Sequence, residues 1–550
     1  MKMRIKRILI PVAIVAVAFL GFRAVSPGDN FFEVSKNLEI FATLYKELNI
    51  YYVDETKPGE LMKTGIDAML ESLDPYTNYI TESNIEDYRF MTTGQYGGIG
   101  SLIRSVDGGV YISEPYEGSP AQKAGLIAGD QLLKVDGIEV EGKDQEQIST
   151  LLKGQSGTSL TVEYERYGEV GQVEIVREDI KIPDVPYYGM LNEEVGYISL
   201  NSFTQTASKE VKAAFKDLKE EQGMKKLIFD LRGNGGGLLR EAVNIVNFFV
   251  PKGQEVVRTK GKISEWDQTH IALNDPLDLE IPLVILVDQG SASASEIVAG
   301  CMQDLDRGVI IGNTTFGKGL VQQTKDLQYN SKLKLTVAKY YIPSGRLIQK
   351  LDYSHKNENG IADEVPDSLL KKFKTANGRE VIDGRGIEPD VKVRNDEIPH
   401  IIVSLLTENL FFKYANEFAR SHEGIGSAAE FRLSEKDYME FVEFLDDKNY
   451  SYTTDTEKEF EQLVSIAKDE KYYGLSQQAF ETLETAITSH KSDDLQIFQD
   501  DIKPILENEI VSRYHFQRGR IENTLADDPA IEAALEIHQD GQSYRSILTP

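Results

Sequence analysis

The sequence predicts a multi-domain α/β protein, an α+β arrangement of modules around a core of βαβ units. With 550 residues the chain is too long for a single hydrophobic core. Between about 183 and 395, short apolar strands alternate with helical segments, which is typical of βαβ units. Turn-rich β-runs precede that stretch and helical periodicity follows it, so at least three modules of different type are expected.

The chain begins with a segment, residues 1–26, that is first basic and then apolar. Four Lys and Arg residues precede an apolar run over 8–22, which is the pattern of a secretory signal. The run is shorter than the roughly 20 residues of a comfortable membrane span, yet no clear A-x-A cleavage site follows it. A cleaved signal and an uncleaved inner-membrane anchor both stay open. Either one places the bulk of the chain in the periplasm or cell envelope.

The remaining chain divides into four regions. Helical spacing of apolar residues predicts a helical segment first, interrupted by a turn at Asp74-Pro75. A small β-rich module with glycine turns follows, then the α/β core, and finally an acidic, mostly α-helical extension that is poor in glycine and proline. The predicted boundaries are 27–85, 86–180, 181–395 and 396–550.

Within the predicted core, apolar runs and helical patterns alternate. Since ligand and catalytic sites of such folds lie at the carboxyl ends of the strands, the segments after each strand are the candidates for a site. The strands are predicted over 195–200, 226–231 and 283–287, and the helices over about 207–221, 238–249 and 293–305.

Composition narrows the partners and cofactors. The net charge of −29 argues against a nucleic-acid partner, which requires clustered Lys and Arg. No metal-binding or cofactor motif occurs, so no metal and no cofactor are expected. Cys301 is the only cysteine and lies in the apolar stripe of a predicted helix. It therefore forms no intramolecular disulfide and is interpreted as a core residue.

A serine-rich segment, Ser291-Ala292-Ser293-Ala294-Ser295-Glu296, follows the strand at 283–287 and opens a helix. Two interpretations of Ser293 stay open from this pattern. With Glu296 three residues later, Ser293 fits a capping box. A serine at a helix start also lies beside unpaired backbone N–H groups, which can stabilise an oxyanion, and so fits a nucleophile.

Lys318 lies between two glycines, Gly317 and Gly319, after the next predicted strand. A lysine buried there would have a lowered pKa and could accept the proton of a serine. None of the seven histidines lies in a comparable turn, so a Ser/His/Asp triad has no support. The segment 312–318 also resembles a phosphate-binding loop, but Gly319 replaces the Ser or Thr that Mg²⁺ requires, which argues against a nucleotide site.

A glycine-rich loop, Asp230-Leu231-Arg232-Gly233-Asn234-Gly235-Gly236-Gly237, joins a buried strand to a helix. It can present backbone amides to an anion, or it can be an ordinary βα turn. The sequence pattern leaves both interpretations open.

Four segments together closely resemble the carboxyl-terminal processing proteases, or tail-specific proteases, of peptidase family S41. These are residues 291–296, 316–322, 341–346 and 386–390, and the likeness covers about 32–395. The resemblance implies an S41 catalytic core in which Ser293 is the nucleophile and Lys318 the general base. It further implies that Gln322 orients the lysine and that the backbone amides of Ala294 and Gly236 form the oxyanion hole.

The β-rich module resembles a PDZ domain inserted into that core. Gly98-Ile99-Gly100-Ser101 occupies the place of the carboxylate-binding loop of such domains. PDZ domains bind free C-termini by adding a strand to the sheet edge. Ser101 departs from the usual apolar residue at its position.

The expected function is therefore that of an envelope serine endopeptidase with a Ser/Lys dyad. Its expected partners are protein substrates with unstructured, apolar C-terminal tails, recognised by the PDZ domain. The helical regions are candidates for homodimerisation or adaptor binding, and the N-terminal segment for membrane association. The alternative is a catalytically inactive PDZ scaffold that binds tails without cutting them.

Overall fold

The computed structural model describes residues 31–357, 360–394, 398–489 and 493–549. The predicted signal or anchor, 1–26, lies outside these residues. The chain divides into two compact units, one ending at Tyr79 and one beginning at Ile80. Within the described ranges, no helix is long and apolar enough to cross a membrane.

The first unit is helical where apolar spacing predicts it. Its elements are α1 (Phe31–Tyr51), α2 (Pro58–Glu71) and, across the boundary, the short strand β1 (Asn78–Ile80). The turn predicted at Asp74-Pro75 is present, because the Asp74 carboxylate accepts hydrogen bonds from the amides of Tyr76 and Thr77, both at 2.9 Å. The segment is thus two helices and a turn.

The second unit begins with α3 (Ile85–Thr93), which leads into the β-rich module. One sheet has the order β3-β4-β5-β7-β8, with β6 beside β5, and β2 pairs with β9. Ile112, Leu132 and Val162 on its strands are buried and form its core with α5. The elements are β2 (Gln95–Gly98), β3 (Ser101–Val106), β4 (Gly109–Pro115), α4 (Pro120–Lys123), β5 (Gln131–Val135), β6 (Ile138–Glu139), α5 (Gln145–Leu152), β7 (Ser159–Arg166), β8 (Glu169–Val176) and β9 (Glu178–Lys181).

The α/β core is built on a six-stranded sheet of order β10-β11-β12-β15-β16-β23. All neighbouring strands pair in parallel except β10 and β11, which confirms the predicted βαβ units. These strands are β10 (Tyr187–Met190), β11 (Val195–Ser199), β12 (Lys226–Asp230), β15 (Leu283–Val287), β16 (Val309–Gly312) and β23 (Val391–Lys392).

One face of this sheet packs on three helices, each near its predicted position. They are α6 (Ala207–Lys216), continued by a π-helical turn, α7 (Leu239–Val246) and α8 (Ala294–Asp304). Apolar residues from the helices and from alternate strand positions form one buried core. The carboxyl ends of β12, β15 and β16 therefore meet at one edge, as parallel strands require.

Antiparallel strands flank the core. In the larger group β18 lies between β13 and β17, and β14 pairs with β13. The strands are β13 (Glu255–Gly261), β14 (Gln268–Ile271), β17 (Leu320–Asp326), β18 (Lys332–Tyr341), and the pairs β19 (Leu351–Lys356) with β20 (Ala362–Glu364) and β21 (Lys372–Lys374) with β22 (Glu380–Ile382).

The extension after the core is helical, as predicted. Its first part has its own core, in which Phe411, Phe441 and Leu506 are buried. Its last helices cover the second face of the six-stranded sheet through Ile531 and Ala534. The helices are α9 (His400–Thr407), α10 (Leu410–Ser421), α11 (Glu435–Leu445), α12 (Asp455–Asp469), α13 (Gln477–Ser489), α14 (Asp494–Ile497), α15 (Gln499–Leu525), α16 (Pro529–Gln539) and α17 (Gly541–Leu548).

Candidate active site

The three serines of the segment 291–295 have different environments. Ser291 and Ser295 are fully buried, and their hydroxyls donate to the carbonyl oxygens of Leu231 and Asn234, both at 2.8 Å. These two serines therefore anchor the helix start to the glycine loop. Ser293 lies between them and is partly exposed. It is the serine that a substrate can reach.

Ser293 has an unusual backbone conformation for a residue with a side chain. Its φ is 57° and its ψ is −109°, a region that costs on the order of 1–3 kcal/mol outside glycine. Its neighbours hold it there: the amide of Ala292 donates to the Asn234 carbonyl at 3.0 Å. The amide of Ser293 itself donates to the Glu296 carboxylate at 2.8 Å. That contact is the glutamate half of the predicted capping box.

The carboxylate of Glu296 does more than cap the helix, because it also binds the lysine turn. Oε2 accepts the amides of Ser293 at 2.8 Å and Lys318 at 2.9 Å. Oε1 accepts the Thr315 hydroxyl at 2.6 Å and the Gly317 amide at 2.8 Å. The side chain is fully buried. One carboxylate oxygen thus joins the two residues that the sequence predicts to act together.

The electrostatics of Glu296 depend on its burial. Burial raises the pKa of Glu296 to about 7, although the four donors oppose the rise. Three of the four partners are backbone amides, which can only donate, and the fourth, the Thr315 hydroxyl, already accepts the Ile387 amide at 2.7 Å, so an added proton would displace one of the present hydrogen bonds. The arrangement therefore fits the ionised carboxylate.

Tyr340, on β18, is a second link between the two turns. Its hydroxyl lies 3.1 Å from the carbonyl oxygen of Ser293 and 2.7 Å from that of Lys318. Burial, with Glu296 adding to it, raises the pKa of this phenol well above its usual value, so it stays protonated and can donate. The Ser293 and Lys318 backbones are thus joined through a carboxylate and through a hydroxyl.

The predicted base, Lys318, and the residue predicted to orient it, Gln322, lie on one segment. Lys318 is partly buried in its turn, and Gln322 follows on β17. The side-chain amide of Gln322 donates to the Thr336 hydroxyl on the neighbouring strand β18 at 3.2 Å. That bond fixes the position of Gln322, whereas its role in orienting the lysine stays a prediction.

The glycine loop lies directly against the serine. A Cβ atom added to Gly236 would lie 2.9 Å from the Ser293 Cβ and 2.9 Å from the amide nitrogen of Ala294. Gly236 and Ala294, the predicted oxyanion-hole residues, are therefore adjacent to Ser293, the predicted nucleophile. The Gly236 amide donates to the Asn234 side chain at 2.9 Å. For Gly236 to bind an oxyanion, its amide must exchange that acceptor for the substrate.

Three residues shape the site beyond those that the sequence predicted as catalytic or oxyanion-binding. They are Asn234, Tyr340 and Glu296 in its second role. Asn234 is fully buried and its side-chain amide donates to the Leu200 carbonyl at 2.6 Å, which ties the glycine loop to the residue that follows β11. A polar residue inside a glycine-rich loop was a usable signal for it. For Tyr340 the sequence offers no such signal, because its partners are distant in the chain.

The predicted peptide-binding loop borders a pocket in the β-rich module. Gly98, Ile99 and Gly100 are buried, and a cavity of about 270 Å³ lies between the start of β3 and α5. Tyr116 also lines it, and burial raises the pKa of its phenol to about 12. Within the described part of the chain, the buried hydroxyl of Ser101 has no hydrogen-bond partner.

Comparison with known proteins points to one family. A peptidase family S41 model matches residues 194–361, a PDZ domain model matches 111–166, and the model "Probable PDZ-protease, C-terminal helical domain" matches 401–537. The chain is 36% identical over 344 residues to a probable CtpA-like serine protease of Staphylococcus aureus (strain COL), which covers 62% of this chain and 68% of that protein.

A second relative agrees in kind. A carboxy-terminal-processing protease of Bartonella bacilliformis is 37% identical over 320 residues, covering 57% of this chain and 73% of the relative. The solved photosystem II D1 C-terminal processing protease is 27% identical with a TM-score of 0.36, covering 65% of this chain and 93% of that one.

Proposed function

The chain belongs to peptidase family S41, among the carboxy-terminal-processing serine proteases with a PDZ domain, and from this premise we propose that Ser293 and Lys318 form its catalytic dyad. The observation that carries the proposal is the Glu296 oxygen that accepts both their amides. Because both amides bind the same carboxylate oxygen, the serine turn and the lysine turn are held in a fixed register, and the proposed nucleophile and base with them.

The chemistry follows from this register. The Ser293 hydroxyl attacks the scissile carbonyl carbon, and the neutral amine of Lys318 accepts the hydroxyl proton. The oxygen of the tetrahedral intermediate lies against the Ala294 amide and the glycine loop. Collapse releases the amine product, which takes the proton from Lys318. Water, deprotonated by the same lysine, then attacks the acyl carbon; the bond to the Ser293 oxygen breaks, the acid product leaves, and the lysine returns the proton to that oxygen.

The PDZ domain supplies the second part of the proposal, which is recognition of C-terminal tails of protein substrates. A tail would add as a strand to β3, with its carboxylate at Gly98–Ser101. The side-chain amide of Gln145 donates to the Ile103 carbonyl at 2.9 Å, so it occupies an acceptor on the groove strand. An incoming tail would displace it at this point.

The proposed location is the periplasm or cell envelope, with the bulk of the chain outside the cytoplasm. The basis is the basic and then apolar pattern of residues 1–26. N-terminal sequencing of the protein isolated from cell fractions tests it. A membrane-bound chain that starts at Met1 supports the anchor, and a start near residue 27 supports signal cleavage. An intact chain in the cytoplasmic fraction would refute the location.

The catalytic proposal is tested with a peptide that has an apolar C-terminus, and with the same peptide ending in an amide. We expect cleavage of the free-acid peptide, a several-fold higher KM for the amide, and no cleavage by Ser293→Ala or Lys318→Ala. Lys325→Ala is the matched control, since Lys325 lies on the same strand as Gln322 and stacks on Trp266 at 5.1 Å. Full activity of Lys318→Ala would refute the dyad, and binding without cleavage by the parent would indicate a scaffold.

A further inference from the structure

The glycine loop is tied to the C-terminal extension through Arg232. Its guanidinium lies between two carboxylates: Nη2 is 2.6 Å from Oδ2 of Asp230, and Nη1 is 2.7 Å from Oδ2 of Asp528. Asp528 lies just ahead of α16 and nearly 300 residues after the loop in sequence. Its side chain is only 8% exposed, so water screens this ion pair weakly.

These contacts fix the beginning of the loop. The Arg232 amide donates to Oδ1 of Asp230 at 2.9 Å, and the hydroxyl of Tyr197 donates to Oδ2 of the same carboxylate at 2.8 Å. The Gly233 amide donates to Asp288 at 2.9 Å. The backbone then runs directly to Gly236 beside Ser293. A shift of Arg232 would therefore move the part of the loop that faces the nucleophile.

Asp528 is itself held firmly. Its carboxylate caps α16 by accepting the amide of Ala530 at 2.8 Å, and α16 is buried against the catalytic sheet. The extension also contacts the PDZ domain. Nη2 of Arg520, on α15, lies 3.2 Å from Oε2 of the buried Glu114 on β4. Arg104 of β3 stacks on the Phe412 ring at 4.9 Å. The extension that carries Asp528 therefore contacts both the catalytic sheet and the PDZ domain, which fixes the position of Asp528.

We infer that Asp528 is a positioning residue of the active site, which acts through Arg232 to hold the glycine loop against Ser293. The C-terminal extension is then a part of the catalytic apparatus and not an appendage. This inference rests on the proposed function, because the loop matters for catalysis only if Ser293 is the nucleophile.

The test is Asp528→Asn in the full chain. Asparagine caps helices as well as aspartate does, so the cap stays and the charge is lost. We expect kcat per folded molecule on the tail peptide to fall about tenfold or more, with KM nearly unchanged and the melting temperature lowered, because Arg232 loses one of its two carboxylates. Asp527→Asn is the matched control, since Asp527 is 64% exposed and pairs with Arg432 instead. It should leave kcat unchanged.

Hydrogen–deuterium exchange gives a readout that does not depend on activity. Amides of 233–237 should exchange faster in Asp528→Asn than in the parent or in Asp527→Asn. Should Asp528→Asn fail to fold, Arg232→Lys serves instead. Lysine keeps the positive charge, but its single ammonium group lacks the planar set of donors with which the guanidinium binds both carboxylates. Parent-like kcat and exchange overturn the inference. If the parent cleaves nothing, the proposed function fails, and the exchange result alone decides the role of Asp528.

Discussion

The active-site turns and the peptide groove differ in whether their buried polar groups are hydrogen-bonded. In the active site, Glu296, Tyr340 and Asn234 bind backbone groups of the serine turn, the lysine turn and the glycine loop. In the groove, the Ser101 hydroxyl is buried and finds no partner among the described residues. A catalytic centre must be rigid before substrate arrives, whereas a recognition groove can leave groups for its ligand to complete.

Replacing Glu296 by glutamine should have the largest effect. The amide NH₂ of glutamine cannot accept the hydrogen bonds that one carboxylate oxygen accepts now, so one of the two turns must move. We expect kcat to fall more than about a hundredfold and the free energy of unfolding to fall by roughly 3 kcal/mol. Peptide cleavage and thermal unfolding measure the two effects.

Glu507→Gln is the control for that experiment. Glu507 is also buried and accepts a backbone amide, that of Leu433 at 2.8 Å, but it lies in the helical extension. Its substitution should destabilise the protein without lowering kcat per folded molecule. Equal losses of kcat in both variants would show that the active-site turns depend on their buried carboxylate no more than the rest of the protein does.

A methyl group on Gly236 should have the next largest effect. Its φ is +99°, and a Cβ there would lie 2.7 Å from the Ala292 carbonyl oxygen. Gly236→Ala should lower kcat on the order of a hundredfold. The adjacent Gly235 has no atom within 4 Å of an added Cβ, so Gly235→Ala should be nearly neutral. Equal activities would show that the loop tolerates displacement.

The titration of Glu296 predicts opposite pH trends for activity and stability. Since the ionised form fits its four donors, kcat should rise with pH through about 7. The folded state holds the proton more tightly than the unfolded chain, whose Glu pKa is about 4.5. The free energy of unfolding should therefore fall as pH rises from about 4.5 to about 7, by up to about 3 kcal/mol.

Both trends are measured on the parent and on Glu296→Gln, by initial cleavage rates and by denaturant unfolding at a series of pH values. The variant cannot titrate at this position, so its free energy of unfolding should no longer fall between pH 4.5 and about pH 7. If the free energy of unfolding of the variant still falls over this pH range, the titration belongs to another group.

The smallest effect is expected in the groove. Ser101→Ala removes a buried hydroxyl that has no partner within the described residues, so a tail that supplies the missing partner should bind the variant about threefold more weakly. The kcat should not change, because the groove does not contact the serine turn, the lysine turn or the glycine loop through Ser101. Ser105→Ala, exposed on the same strand, is the control. Unchanged or tighter binding by Ser101→Ala would mean that the tail does not contact the hydroxyl, and fluorescence anisotropy in a Ser293→Ala background measures this.

Much of the fold was predictable because its signals are local. The predicted strand over 283–287 matches β15, and the predicted helix over 293–305 differs from α8 by one residue at each end. Apolar runs bounded by glycine turns mark buried parallel strands well. The domain boundaries stay predictions, since no comparison tests them residue by residue.

The catalytic candidates were predictable in position but not in their support. The sequence predicts Glu296 as a helix cap, because a residue three positions after a serine is a local pattern. Its bonds to Thr315, Gly317 and Lys318 join segments about 20 residues apart and follow only from the packing of β16 beside β15. The Arg232–Asp528 pair is more distant still, and no spacing rule predicts it.

Cys301 has a practical consequence for spectroscopy. It is the sole cysteine and lies fully buried in α8, and burial raises the pKa of its thiol well above the usual value. Since maleimide dyes react with thiolates, the resident thiol stays unlabelled while the protein is folded. A fluorophore attached through Ser105→Cys at the groove strand would therefore report tail docking in otherwise wild-type protein, without a cysteine-free background.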